Sequence, residues 1–192
     1  MVRLIMLGGP GSGKGTQANK IAKDLNITII STGDILRSAI ESDDALGKKA
    51  KEYVEKGELV PDRMMIEFMK QRLLQEDVAK GWVLEGYPRT AFQAEELDFL
   101  LEDLNQKINY AIYLDVSKET MIKRSLNRGN IDDKLEVINK RIELFKQRTT
   151  PILEYYDYKH TLINISAEGS IEQIEQEIVD RAKPFIDNIK TS

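Results

Sequence analysis

Residues 8–16 read Gly-Gly-Pro-Gly-Ser-Gly-Lys-Gly-Thr, and Gly8, Gly9, Gly11, Gly13 and Gly15 are five of the 12 glycines in the chain. An apolar run, Val2–Leu7, precedes them and a helical pattern follows. Clustered backbone N–H groups at a helix N-terminus make a nest for an anion such as phosphate. Glycine permits the close approach, because a side chain would stand between the main chain and the ligand. Lys14 would supply a point charge to the terminal phosphates. The common form of such a loop sets Ser or Thr directly after the lysine; here Gly15 intervenes and Thr16 follows. Other chemistries drop out by composition. The chain has no cysteine, which excludes disulfides, thiol nucleophiles and Cys-ligated zinc. His160 is the single histidine, so no His triad, His pair or multi-His metal site can form.

Later segments extend the pattern. They are Ser31-Thr32-Gly33-Asp34-Ile35-Leu36-Arg37, Gly57-Glu58-Leu59-Val60-Pro61-Asp62 and Glu85-Gly86-Tyr87-Pro88-Arg89-Thr90 with Gln93 behind it. Asp132-Asp133 followed by Arg141, then Thr150-Pro151 and Tyr155-Tyr156, and finally Ala167-Glu168-Gly169-Ser170 complete the series. In order and spacing these segments resemble the adenylate kinase and nucleoside monophosphate kinase family. The resemblance covers most of the chain and includes a short form of the family's lid.

The resemblance implies reversible phosphoryl transfer from Mg-ATP to AMP, giving two ADP. Such a transfer needs positioning and charge stabilisation more than covalent chemistry. Arginine suits it, because a planar fork holds phosphate oxygens bidentately. By resemblance, Lys14, Arg89, Arg128 and Arg141 are the catalytic set, and Mg²⁺ arrives with ATP. Gly11, Ser12, Gly13, Lys14, Gly15, Thr16, Arg124 and Gly169 would bind ATP, with Arg124 packing on the donor adenine. Thr32, Arg37, Val60, Gly86, Arg89 and Gln93 would bind AMP, with Arg37 and Arg89 on its phosphate. Arg124 and Arg128 are four apart, so a helix running through both would place them on one face. Arg3, Arg63, Arg72, Arg148 and Arg181 match no family register and read as surface charges.

Thr32 and Gln93 match the adenylate kinase choice, where uridylate/cytidylate kinases tend to carry Ala and Asn. An amide offers both N–H₂ and C=O to the edge of a base. Two alternatives stand beside this reading: a kinase for UMP, CMP or another monophosphate, and a nucleotide-binding sensor with weak catalysis. The sensor is motivated by two departures from the family. Glu85 stands where the family has Asp to hold the Mg²⁺ water shell, so a contact to the ion through water is expected. Asn130 stands where the family has Arg. The intact Lys14, Arg37, Arg89, Arg128 and Arg141 oppose the sensor, which has no need to clamp two phosphate groups.

These residues need elements to position them. Strand-like runs lie at Val2–Leu7, Ile27–Ile30, Trp82–Leu84, Tyr110–Leu114 and Leu162–Ile165. Helical periodicity covers Gly13–Leu25, Asp34–Glu41, Asp62–Gln75, Ala91–Leu104, Lys118–Asn127, Asp133–Tyr156 and Ile171–Ile186. Strands separated by helices predict βαβ units around a parallel sheet. The expectation is an α/β, P-loop nucleoside triphosphate hydrolase-like fold: a five-stranded parallel sheet flanked by helices on both sides. The 192 residues suit a single domain, with a monophosphate-binding insertion at about 31–61 and a minimal lid at about 127–133. The 28 Lys+Arg against 32 Asp+Glu give a net charge of −4, which argues against a nucleic-acid surface. No apolar run is long enough to span a membrane. A cytoplasmic monomer working on ATP and AMP is expected.

Overall fold

A computed structural model describes residues 1–42, 45–55, 60–127 and 134–190. Its centre is a five-stranded, all-parallel sheet of β1 (Val2–Gly8), β2 (Thr28–Ser31), β3 (Gly81–Glu85), β4 (Tyr110–Asp115) and β5 (Leu162–Ser166), in the order β2-β3-β1-β4-β5. The expected fold class is the one observed. The helices are α1 (Lys14–Asp24), α2 (Thr32–Ser42), α3 (Ala45–Glu55), α4 (Asp62–Leu73), α5 (Ala91–Asp103), α6 (Lys118–Leu126), α7 (Leu135–Tyr158) and α8 (Ile171–Lys190).

The central strands β1, β3 and β4 are largely apolar because both faces of the sheet are covered there. Side chains alternate across it. Leu4, Met6, Val83, Ile112 and Leu114 meet Ala18, Ile21, Ile174 and Ile178 of α1 and α8. Ile5, Leu7, Trp82, Leu84 and Ala111 face the other way, onto α4, α5 and the end of α7 through Phe68, Met69, Leu97, Leu101 and Tyr156. Each Val, Leu, Ile, Phe or Met among them, once buried, stabilises the fold by roughly 1.5–3 kcal/mol. The Met65 and Met69 pair belongs to this core, as does fully buried Trp82. Tyr155 packs beside Tyr156 and donates its hydroxyl hydrogen to Asp98 Oδ2 at 2.8 Å.

Several boundaries differ from expectation, and α7 runs Leu135–Tyr158 where 133–156 is expected. The segment after α4 turns into a short 3₁₀ helix, Glu76–Lys80, because Asp77 is pinned by both terminal nitrogens of Arg72 at 2.8 and 2.7 Å. α2 begins at Thr32, two residues before Asp34, and α8 runs on to Lys190. Inside the insertion expected at about 31–61, a further helix, α3, packs on α2.

Candidate active site

β1 and β3 are neighbours, with Met6 opposite Glu85, so the loops leaving both strands emerge at the same carboxyl edge. Open parallel sheets bind ligands at that edge. Three cavities follow one another along it. The loop cavity, about 660 Å³, is lined by the glycine loop from Gly11 through Ser12, Gly13, Lys14, Gly15 and Thr16, together with Glu85, Arg124, Arg141 and Gly169. The central cavity, also about 660 Å³, is lined by Lys14, Glu85, Gly86, Arg89, Arg141 and Arg148 among others. The distal cavity, about 130 Å³, holds Thr32, Val60, Asp62, Gly86, Arg89, Gln93 and Arg148. Lys14, Glu85 and Arg141 belong to the first two cavities, and Gly86, Arg89 and Arg148 to the last two.

The glycine loop presents the start of α1 to the loop cavity. Gly13 precedes the helix at φ 92, and no side chain caps it. The first-turn N–H groups have no intrahelical acceptor and carry the positive end of the helix dipole. The loop is tightened from within: Ser12 N–H donates to the Gly9 carbonyl at 3.2 Å and Lys14 Nζ to the same oxygen at 2.9 Å. Gly11 lies at φ 74, and a Cβ there would sit 2.6 Å from the Met121 carbonyl oxygen of α6. Main chain, which cannot swing aside, therefore keeps that position glycine. Ser12 Oγ is buried without a hydrogen-bond partner among the described residues.

The far wall of the loop cavity is the turn between β5 and α8. Arg124 donates to the Ala167 carbonyl at 2.8 Å and to that of Gly169 at 3.4 Å. The Glu168 carboxylate accepts from Ser117 N–H and from the Thr120 hydroxyl, each at 2.6 Å. These bonds, the one from the Ser117 backbone foremost, hold Glu168 below its usual carboxylate range. They clamp the turn to the start of α6 and fix Gly169 opposite the glycine loop.

The distal cavity is organised by the start of α5. Thr90 caps the helix, its Oγ1 accepting from Gln93 N–H at 3.1 Å. That sets Gln93 in the first turn, where its side chain, 5% exposed, is directed by two partners. Its Oε1 accepts from Arg89 N–H at 2.7 Å, and its Nε2 donates to Asp62 Oδ1 at 2.6 Å. A primary amide has two N–H donors and two lone pairs, so one of each remains for a ligand. Thr32, 3% exposed, faces the same space. Gly86 sits at φ 88, and a Cβ there would lie 2.4 Å from Thr32 Oγ1. Gly86→Ala is expected to destabilise the protein by about 1–2 kcal/mol from the left-handed backbone alone. Urea unfolding checks this; a loss under a few tenths would contradict the assignment.

Arg89 reaches into the central cavity, where its Nε donates to the Gly86 carbonyl at 2.8 Å. It keeps solvent contact through the open cavity, yet protein crowds it on most sides. That crowding lowers its pKa; the Glu85 charge opposes the effect and the Arg148 charge adds to it. Arg37 stands apart: it is exposed, paired with Asp34 one turn back along α2, and lines none of the three cavities. Arg128, Asn130, Asp132 and Asp133 lie outside the described residues, as does most of the expected lid. The surface reading of Arg148 is corrected. The residue is half-buried and lines both the central and the distal cavity. The missed signal was its seven-residue spacing from Arg141, which puts both on one face of a helix.

Among the residues lining the central cavity, Lys14, Arg89, Arg141 and Arg148 are cationic and Glu85 is the single carboxylate. Such a space suits phosphate, and its continuity with the other two allows two anionic ligands to be held end to end. Among the described residues no group of three or more His, Cys, Asp or Glu side chains could cage a metal. No helix of the described chain is long and apolar enough to cross a membrane.

A family model described as adenylate kinase matches residues 6–161. The chain is 54% identical to adenylate kinase 2 of Synechocystis sp. over 180 residues, 94% of this chain and 99% of that protein. It is equally identical to adenylate kinase 2 of Nostoc sp. over 178 residues, covering 93% and 97% of the two chains. An adenylate kinase of Thermodesulfovibrio yellowstonii is 38% identical, covering 90% of this chain and 95% of that protein.

Proposed function

The chain belongs to the adenylate kinase family and is an ATP:AMP phosphotransferase, and we propose that the loop cavity holds ATP while the distal cavity holds AMP. The central cavity is then the space in which phosphoryl passes from one to the other. The observation that carries this assignment is the sharing of walls: Lys14, Glu85 and Arg141 on the ATP side, Gly86 and Arg89 on the AMP side.

In this reading the first-turn N–H groups of α1 and Lys14 hold the terminal phosphates of ATP. Arg89 grips the AMP phosphate and aims one of its oxygens at the γ-phosphorus. A new P–O bond forms there as the bond to the β-phosphate oxygen breaks, which leaves two ADP. Arg141, on the border between the ATP and transfer spaces, offsets the charge that develops on the moving group. Arg124 and Gly169 bound the adenine end of the ATP space. Arg37 joins the AMP phosphate by leaving its Asp34 pairing. Of the insertion expected at about 31–61, the described helices α2 and α3 would serve the AMP side.

The site suits a cation that enters with the nucleotide. Mg²⁺ takes one or two protein oxygens and fills the rest of its octahedron with water and phosphate. Half-buried Glu85, acting through water, and the Thr16 hydroxyl line the ATP space and would hold it. When bound, the ion screens the charge of the phosphates.

The free N–H and lone pair of Gln93 fit the N1 acceptor and exocyclic amino group of adenine. A coupled assay of ADP release with ATP against AMP, UMP, CMP and GMP tests the assignment. AMP-selective turnover is expected, and Gln93→Leu should raise KM for AMP about 10–100-fold while KM for ATP stays within twofold. Comparable turnover of UMP or CMP by the unmodified protein would overturn the base assignment. A cytoplasmic monomer agrees with this reading and is tested by sedimentation and cell fractionation.

A further inference from the structure

α7 carries two arginines on one face, Arg141 and Arg148, separated by two turns or about 10 Å along the axis. They divide the site between them. Arg141 lines the loop and central cavities, and Arg148 lines the central and distal ones. Arg148 is half-buried and has no carboxylate or carbonyl partner among the described residues. The single acid lining the distal cavity, Asp62, is already engaged by Gln93 Nε2 at 2.6 Å. Glu85, the single carboxylate of the central cavity, is shared among four cations. Arg148 thus shares both cavities with Arg89, near enough for its charge to act on Arg89, with nothing anionic assigned to it. Two like charges held so are unfavourable on their own and become favourable when an anion bridges them.

We propose that Arg148 is a further phosphate clamp for AMP, acting on the α-phosphate alongside Arg89 and Arg37. The proposal rests on the assignment of the distal cavity to AMP. It also gives the chain a cation at the transfer site from α7, where position 130 is Asn instead of the Arg of the family pattern.

The test compares AMP with adenosine, which lacks the phosphate. Calorimetric Kd values are measured for both on the unmodified protein, Arg148→Met and Arg148→Lys, alongside steady-state kinetics and thermal unfolding. Methionine keeps the unbranched stem and volume but removes the charge. The expected result is about 10–100-fold weaker AMP binding and a similar fall in kcat/KM for AMP in Arg148→Met. Adenosine binding, KM for ATP and Tm should change little. Arg148→Lys should fall between, because it keeps the charge but not the fork. AMP binding within twofold of the unmodified protein would overturn the proposal, as would an equal loss for adenosine and AMP. Failure of the AMP assignment itself would be seen separately, as absence of AMP binding and turnover in the unmodified protein.

Discussion

Lys14→Met lowers kcat by about 10²–10³-fold and leaves a folded, ATP-binding protein: this is the expected result of removing one charge from the border of two cavities. Lys14 lines both the ATP space and the transfer space, and its Nζ is held over the loop by the Gly9 carbonyl at 2.9 Å. A lysine tethered in this way needs little reorganisation when charge builds on the β–γ bridging oxygen, and preorganised charge contributes most to rate. Methionine preserves the stem that packs against the loop. The loss of the charge-assisted hydrogen bond to the Gly9 carbonyl should cost about 1.5–3 kcal/mol of stability, less than the margin of a typical folded domain. ATP itself should still bind, since the uncapped N–H groups of α1 remain. Single-turnover kinetics with saturating ATP and AMP, together with Tm and ATP Kd, check the set. A kcat within tenfold of the unmodified protein would remove Lys14 from the catalytic set.

Arg89→Met is expected to act on the other substrate. A bidentate grip on a phosphate comprises two charge-assisted hydrogen bonds, each worth about 1.5–3 kcal/mol, so kcat/KM for AMP should fall by about 10²–10⁴-fold. KM for ATP should stay within a few fold, because Arg89 lines the central and distal cavities and not the loop cavity. Arg89→Lys should recover little. The Nε–H already bonded to the Gly86 carbonyl at 2.8 Å sets the plane of the guanidinium, and an ammonium has no plane to set. Stability is the control: removing Arg89 also removes the repulsion with Arg148, so folding free energy should not fall by more than the Gly86 bond contributes. Equal losses toward ATP and AMP would show that Arg89 serves the scaffold instead of the AMP phosphate.

Much of this site could be read before any coordinates. The glycine loop, its preceding strand and its following helix are contiguous, so their identity depends on local backbone preference and apolar pattern. The five strands and the helices that alternate with them were legible for the same reason, to within a few residues. The 3₁₀ turn at Glu76–Lys80 was not, because it depends on a side-chain pair, Arg72 with Asp77, that competes with continuation of α4. Gln93 was legible as a residue type, through the family resemblance of the Glu85–Thr90 segment before it. Its working orientation was not, because Asp62, 31 positions away in sequence, holds one end of the amide.

By itself, then, the sequence of this chain determined what is local: the phosphate loop, the alternation of strand and helix, and the absence of thiol chemistry and of any multi-histidine site. The tertiary structure alone decided which charged groups share a cavity. Arg37 matched the family register and Arg148 did not, yet the fold pairs Arg37 with Asp34 on the surface and turns Arg148 into the site. The reason is geometric. A helix spreads its residues around a full turn, and only the packing of α7 against α5 and α6 selects which arc of it looks into the cavity.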